Sequence, residues 1–134
     1  MYLNILNEEQ KELFVDMCIY VALSNNQFAE EEKHCIDLYC QEMGIETPRY
    51  EARASYNATV EAILCSCGAK EIKIIAMELA ALVLSDSKYE QLEKDFMSDL
   101  MCRFGISSNE FETLIKSIQV LNATYSELDN WIRA

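Results

Sequence analysis

Polar positions almost vanish between Ile72 and Leu84, where the chain reads IKIIAMELAALVL and only Lys73 and Glu78 are strongly polar. At about 3.6 residues per turn this is three to four turns of helix. A helix apolar nearly all the way round belongs inside a core, with neighbours on most sides. An echo of it runs from Leu13 to Leu23 (LFVDMCIYVAL), interrupted only by Asp16. The two stretches are expected to form the centre of the molecule.

The remaining pattern is also helical. Asn7, followed three positions later by Gln10, predicts a capped start for a first helix over Glu8–Ser24. Glu9, Glu12 and Asp16 are spaced to share one wet stripe on it. After the loop at Ser24–Gln27, Phe28 is expected to turn back into the core. A second helix should start near Ala29, with Glu30, Glu31 and Glu32 in its first turn, where carboxylates favour the helix dipole. Gly44 is a natural stop for it. Thr47-Pro48 predicts the start of a third helix, in one piece or hinged near Ser55–Asn57, with Gly68 closing it. The central helix follows over Ala69–Ser85, then another from about Glu90 to Phe104, closed by Gly105. Ser107 with Glu110 makes a second capping box. Phe111, Leu114, Ile115, Ile118, Leu121, Tyr125, Leu128 and Ile132 then keep a helical period to the end. One long helix or two that break at Asn122 would both satisfy it.

Slid along itself by 61 residues, so that Leu13 meets Ile74, the chain matches without a gap as far as Ile45 and Ile106. The identities are Leu23/Leu84, Ser24/Ser85, Glu32/Glu93, Lys33/Lys94, Gly44/Gly105 and Ile45/Ile106, with Phe28/Tyr89 a conservative pair. Each copy reads as a buried helix, a tight turn, an amphipathic helix and a glycine stop. The fold expected is therefore all-α, one compact domain over residues 1–134 with six to seven helices. Two pseudo-symmetric αα-hairpins (about 13–45 and 74–106) would be joined by a linker helix and covered by a C-terminal helix.

Composition narrows the partners. Half of the 134 residues are hydrophobic, and 3 Gly with 1 Pro leave few breakers, which suits long helices rather than disorder or an all-β fold. A net charge of −12 argues against nucleic acid and against an anionic membrane surface. The opening residues carry no basic, signal-like stretch, and Ile72–Leu84 falls short of the ~20 apolar residues that span a bilayer. Six cysteines scattered through apolar patterns fit reduced thiols in a cytoplasm.

The two repeat loops read Leu23-Ser24-Asn25-Asn26-Gln27-Phe28-Ala29-Glu30-Glu31-Glu32, closing with Met43-Gly44-Ile45, and Leu84-Ser85-Asp86-Ser87-Lys88-Tyr89-Glu90-Gln91-Leu92-Glu93, closing with Phe104-Gly105-Ile106. This pattern resembles the TerB-like family, a helical domain named after a tellurite-resistance protein and also found in DnaJ-like membrane proteins. Its usual form is an apolar helix running into Ala-Asp-Gly-x-Ile, an acidic stretch ending Glu-Glu, and a helix ending near Leu-Gly-Ile. The family's Asp-Gly stands here as Asn25-Asn26 and Asp86-Ser87. The resemblance implies the fold above and a bacterial stress-response or envelope-associated setting. Because some members bind divalent metal through acidic loop residues, it also implies Asp86, Glu93, Asn25 and Glu32 as the ligand set of a cation site.

The same four residues have a structural reading, with Asp86 capping its turn and Glu32 and Glu93 accepting N–H bonds from their own loops. An EF-hand does not fit, since its third and twelfth positions counted from Asp86 would be Lys88 and Met97. Asp16 and Glu78, each inside an apolar helix, could have raised pKa values and do acid–base work. The plainer expectation is Asp16 on the wet stripe with Glu12, and Glu78 at a surface gap or beside a lysine. Cys65 and Cys67 point about 200° apart on a helix and do not chelate. Cys18, Cys35, Cys40 and Cys102 read as small core residues. His34 is alone among carboxylates on an exposed helix.

The sequence thus favours a non-enzymatic, acidic binding or scaffold module with an unidentified protein partner and no cofactor. The alternatives are a divalent-cation domain using the Asp86 loop, or a minor catalytic role for the buried carboxylates.

Overall fold

The computed structural model describes residues 1–26, 28–85 and 89–134. Among these, a short 3-10 turn (Leu3–Ile5) precedes six helices: α1 (Glu8–Leu23), α2 (Glu30–Met43), α3 (Tyr56–Ser66), α4 (Ala69–Val83), α5 (Gln91–Phe104) and α6 (Ser108–Arg133). The fold is all-α, as the hydrophobic periodicity predicts.

Each helix begins where a side chain can satisfy its first free N–H groups. Asn7 accepts the Gln10 N–H at 2.9 Å, and the Gln10 side chain accepts the Asn7 N–H at 2.9 Å. Ser55 opens α3 by accepting the Ala58 N–H at 3.1 Å. Ser107 opens α6 by accepting the Glu110 N–H at 3.2 Å. The stops are as specific: Gly44 and Gly105 both take the left-handed conformation at φ 77°, where a Cβ would strain the backbone.

The centre is the pair expected. Phe14, Val15, Met17, Cys18, Ile19, Val21 and Ala22 of α1 are buried, as are Ile75, Ala76, Leu79, Ala80, Leu82 and Val83 of α4. These two helices pack on each other, with α3 against α1, α2 touching both, and α5 and α6 against α4. Gln10, itself buried, donates from Nε2 to the Ser66 carbonyl at 2.7 Å and so pins the start of α1 to the end of α3.

Two boundaries differ from the sequence reading. Pro48 does not start a helix; residues 45–55 are irregular, and α3 begins only at Tyr56. Gly68 does not stop α3 in a left-handed turn. It is extended (φ −83°, ψ −179°), stands at the start of α4 and donates its N–H to Glu71 Oε1 at 3.0 Å. Of the two readings open for the C-terminal stretch, the single helix holds, without a break at Asn122: α6 is one helix of 26 residues.

Positions 61 apart make the same local bonds. Ser24 Oγ donates to the Val21 carbonyl and Ser85 Oγ to the Leu82 carbonyl, both at 2.7 Å. The Ile45 N–H reaches Cys40 O at 2.8 Å, and the Ile106 N–H reaches Met101 O at 2.9 Å. Lys33 Nζ lies 5.6 Å from the Phe28 ring centre, and Lys94 Nζ lies 5.5 Å from that of Tyr89. Asn26, standing where the family pattern has glycine, is left-handed at φ 64°, a conformation asparagine tolerates.

An added Cβ at Gly105 meets no atom within 4 Å, so its cost is conformational alone. Gly105→Ala should therefore lower stability by about 1 kcal/mol in urea titrations, with helix content by circular dichroism unchanged. No shift in the midpoint would show that the helix stop does not require the left-handed turn.

Candidate functional site

Among the described residues, the carboxylates of Asp16, Glu32, Glu78 and Glu93 have left water. Asp16 is 1% exposed, so it does not share a wet stripe with Glu12 as its spacing predicts. Arg49 donates from Nη1 to Asp16 Oδ1 at 2.6 Å. Arg53 donates from its main-chain N–H to the same oxygen at 3.1 Å and from Nε to Oδ2 at 2.9 Å. Arg49 also reaches the Glu12 carboxylate at 2.9 Å and the Glu12 carbonyl at 3.1 Å. Burial alone would lower the Arg49 guanidinium, but its bonds to Asp16 and Glu12 outweigh that and hold it above its ordinary value. Both arginines lie on the 45–55 segment. Reaching α1 from there keeps that segment irregular, which explains why Pro48 starts no helix.

Glu78 is 5% exposed on α4. Its partner is neither a surface gap nor a lysine. The α-amino group of Met1 lies 3.0 Å from Glu78 Oε2 and 3.0 Å from Glu42 Oε1. The Leu3 N–H donates to the other Glu42 oxygen at 3.0 Å. Burial pushes the Glu78 carboxyl up, the nearby ammonium opposes this in part, and the net shift is upward. Burial would lower the Met1 amine, yet the two carboxylates hold it above its ordinary value. Tyr39, nearly buried, donates its hydroxyl to the Glu78 carbonyl at 2.7 Å. Asp16 and Glu78 thus each have basic partners of their own.

Of the four residues implied as cation ligands, Asp86 lies outside the described residues. Glu32 and Glu93 are fully buried and stand in the first turns of α2 and α5. Glu32 accepts the Ala29 N–H at 3.2 Å, and Glu93 accepts the Glu90 N–H at 3.4 Å, which is the bonding the structural reading requires. Asn25 is half-buried in the turn after α1. Among the described residues no group of three or more His, Cys, Asp or Glu side chains is arranged to hold a metal ion.

The thiols divide by environment. Cys18 and Cys40 are buried, and burial pushes both up. Cys65 is exposed and Cys67 half-buried at the end of α3. Cys102 is exposed, not a core residue as its apolar neighbours predict. His34 is exposed on α2.

What the linear pattern does not show is a groove of ≈ 940 Å³ where α5 crosses α6. Its floor is apolar, with Met101, Ile106, Phe111 and Ile115, and Lys94, Lys116 and Glu112 stand on its walls. None of the buried carboxylates Asp16, Glu32, Glu78 and Glu93 lines it. Each of these residues is legible as helical core or surface. Their convergence depends on the crossing of two helices, which periodicity does not encode.

Comparison with protein-family models, with curated proteins and with solved structures gave no match.

Removing the Asp16 charge leaves two arginines facing a neutral amide. Because Arg49 and Arg53 are 27% and 43% exposed at the side chain, water screens part of the loss. Asp16→Asn should destabilise by about 2–3 kcal/mol in urea unfolding. An unchanged midpoint would mean that the cluster does not hold the 45–55 segment.

Glu78 titrates with the opposite sense to a paired surface acid. Its raised folded value means the folded protein binds that proton more tightly than the unfolded chain. Its contribution is full below the ordinary 4.5 and is lost as pH rises through the folded value. Glu78→Gln removes that loss, so the variant should gain on the parent between pH 4 and 7 in denaturation series. A gap that narrows with rising pH would contradict the assignment.

Proposed function

We propose that the protein is a non-enzymatic, acidic helical binding module of TerB-like type, and that its docking face is the groove between α5 and α6. One observation supports this above the others. In a chain with 23 acidic and 11 basic residues, an apolar trough is lined by two lysines, Lys94 and Lys116, against one carboxylate, Glu112. A protein segment with apolar anchors and flanking carboxylates matches both properties, because complementary charge steers and registers a partner while apolar contact holds it. Asp16 and Glu78 support a non-enzymatic reading, since each is tied to a cation that also fixes backbone. The family resemblance supports a place in bacterial stress-response or envelope-associated assemblies. No helix among the described residues is long and apolar enough to cross a membrane.

A photo-crosslinking residue at Ser98, on the groove wall, should capture a discrete protein adduct in the native host. The same residue at the exposed Gln41 of α2 should not. Lys94→Glu with Lys116→Glu should reduce capture at Ser98 several-fold through like-charge repulsion. Equal capture at both positions, or capture indifferent to the lysines, would remove the support for this docking face.

A further inference from the structure

Helix α6 leaves the body part-way along its length. Ile118 is its last buried residue, and every position from Gln119 to Ala134 is exposed. The fifteen helical residues from Gln119 to Arg133 extend about 22 Å at 1.5 Å per residue. One apolar line runs through both halves: Phe111, Leu114, Ile118, Leu121, Tyr125, Leu128 and Ile132. The steps alternate between three and four, which is the seam of two helices wound about each other.

The width of that line changes where the helix leaves the body. On the body it is broadened by Ile115, which is buried beside Phe111 and Ile118, as a helix packed on a globular surface requires. One and two heptads further on, the place of Ile115 is taken by Asn122 and Asp129. The outer half thus keeps the narrow stripe that fits one more helix and loses the broad one that fits a globular face. Trp131 stands on the shoulder of the stripe.

We infer that the outer half of α6 pairs with its counterpart in a second copy of this chain, the two helices running antiparallel. Leu121, Tyr125, Leu128, Trp131 and Ile132 are 39%, 60%, 55%, 79% and 73% exposed. With fully exposed side chains near 200 Å² each, covering them removes about 600 Å² per copy. That brings the pair to roughly 1,200 Å² in total, the lower end of a stable specific interface. Antiparallel order is self-complementary: Leu121 meets Ile132 of the second copy, and Tyr125 meets its Leu128. It also sets the two bodies at opposite ends of the helix pair. Each chain carries −12, and at physiological salt repulsion fades over about 8 Å, so this separation removes what a parallel pair would impose. A lipid surface is a poorer occupant. The outer half carries Glu127 and Asp129 against Arg133 alone, where a membrane-lying helix presents a basic polar face.

Sedimentation equilibrium of the full chain between 1 and 200 µM, with 0.15 M salt, tests this. The wild type should dimerise with a Kd on the order of 10 µM, and emission from Trp131, its one tryptophan, should shift to the blue as the dimer fills. Tyr125→Glu with Leu128→Glu, both on exposed positions, should weaken association at least tenfold with helix content unchanged. On oxidation, a mixture of Asn122→Cys and Asp129→Cys chains should cross-link faster than either alone, above the background from exposed Cys65 and Cys102. A wild type that stays monomeric at 200 µM overturns the inference. So does dimerisation indifferent to the double substitution. A blue shift on zwitterionic lipid vesicles by a chain that never dimerises would assign the stripe to a membrane instead.

Discussion

A carboxylate moved from water into a protein interior costs several kcal/mol unless opposite charge and hydrogen bonds meet it. This chain places one inside each of its two most deeply buried helices, Asp16 in α1 and Glu78 in α4, and much of the remaining structure is arranged around them. Asp16 draws Arg49 and Arg53 onto α1, which fixes the course of the irregular segment between α2 and α3. Glu78 draws in the Met1 amine, and with it the 3-10 turn and Glu42 of α2. The N-terminal turn and the 45–55 segment are therefore fastened to the helices by charge. Apolar packing holds the helices themselves together.

This division explains what could be read from the sequence. The helices of the core follow from periodicity, and their ends from residues whose backbone roles are local: Asn7, Ser107, Gly44 and Gly105. The 61-residue offset pairs Ser24 with Ser85, Glu32 with Glu93 and Lys33 with Lys94, and the structure adds that each lysine lies over its neighbouring aromatic ring. Each of those interactions closes within a few residues, so pattern is enough. The misjudged positions are the ones whose partners are distant in sequence. Asp16 has the spacing of a surface stripe and is buried because two arginines 33 and 37 positions away reach it. Pro48 carries a start signal that the pull on Arg49 and Arg53 overrides. Cys102 sits in an apolar pattern but on the open side of α5.

The candidate sites show the same limit. The cation-ligand set came from a family resemblance, and two of its members, Glu32 and Glu93, are engaged at helix starts. The groove between α5 and α6 had no signal of its own, although Met101, Phe111 and Ile115 were each readable as apolar. Charge on this molecule is informative mainly where it departs from the average. The acidic body, the two lysines at the groove and the outer half of α6, where Glu127 and Asp129 stand against Arg133, are three surfaces with different electrostatic character.

Starting a helix in water is costly, because the first turn must be ordered before it gains a hydrogen bond, and free helices of about fifteen residues are marginal. The outer half of α6 avoids that step. Its first turns are held by Phe111, Ile115 and Ile118 against the body, so each further turn only propagates what is already formed. The length of the projecting part is thereby decoupled from the stability of the domain. Seven residues added to or removed from its end would change its reach by about 10 Å without disturbing a core contact. The body sets where the helix points, and the number of heptads sets how far.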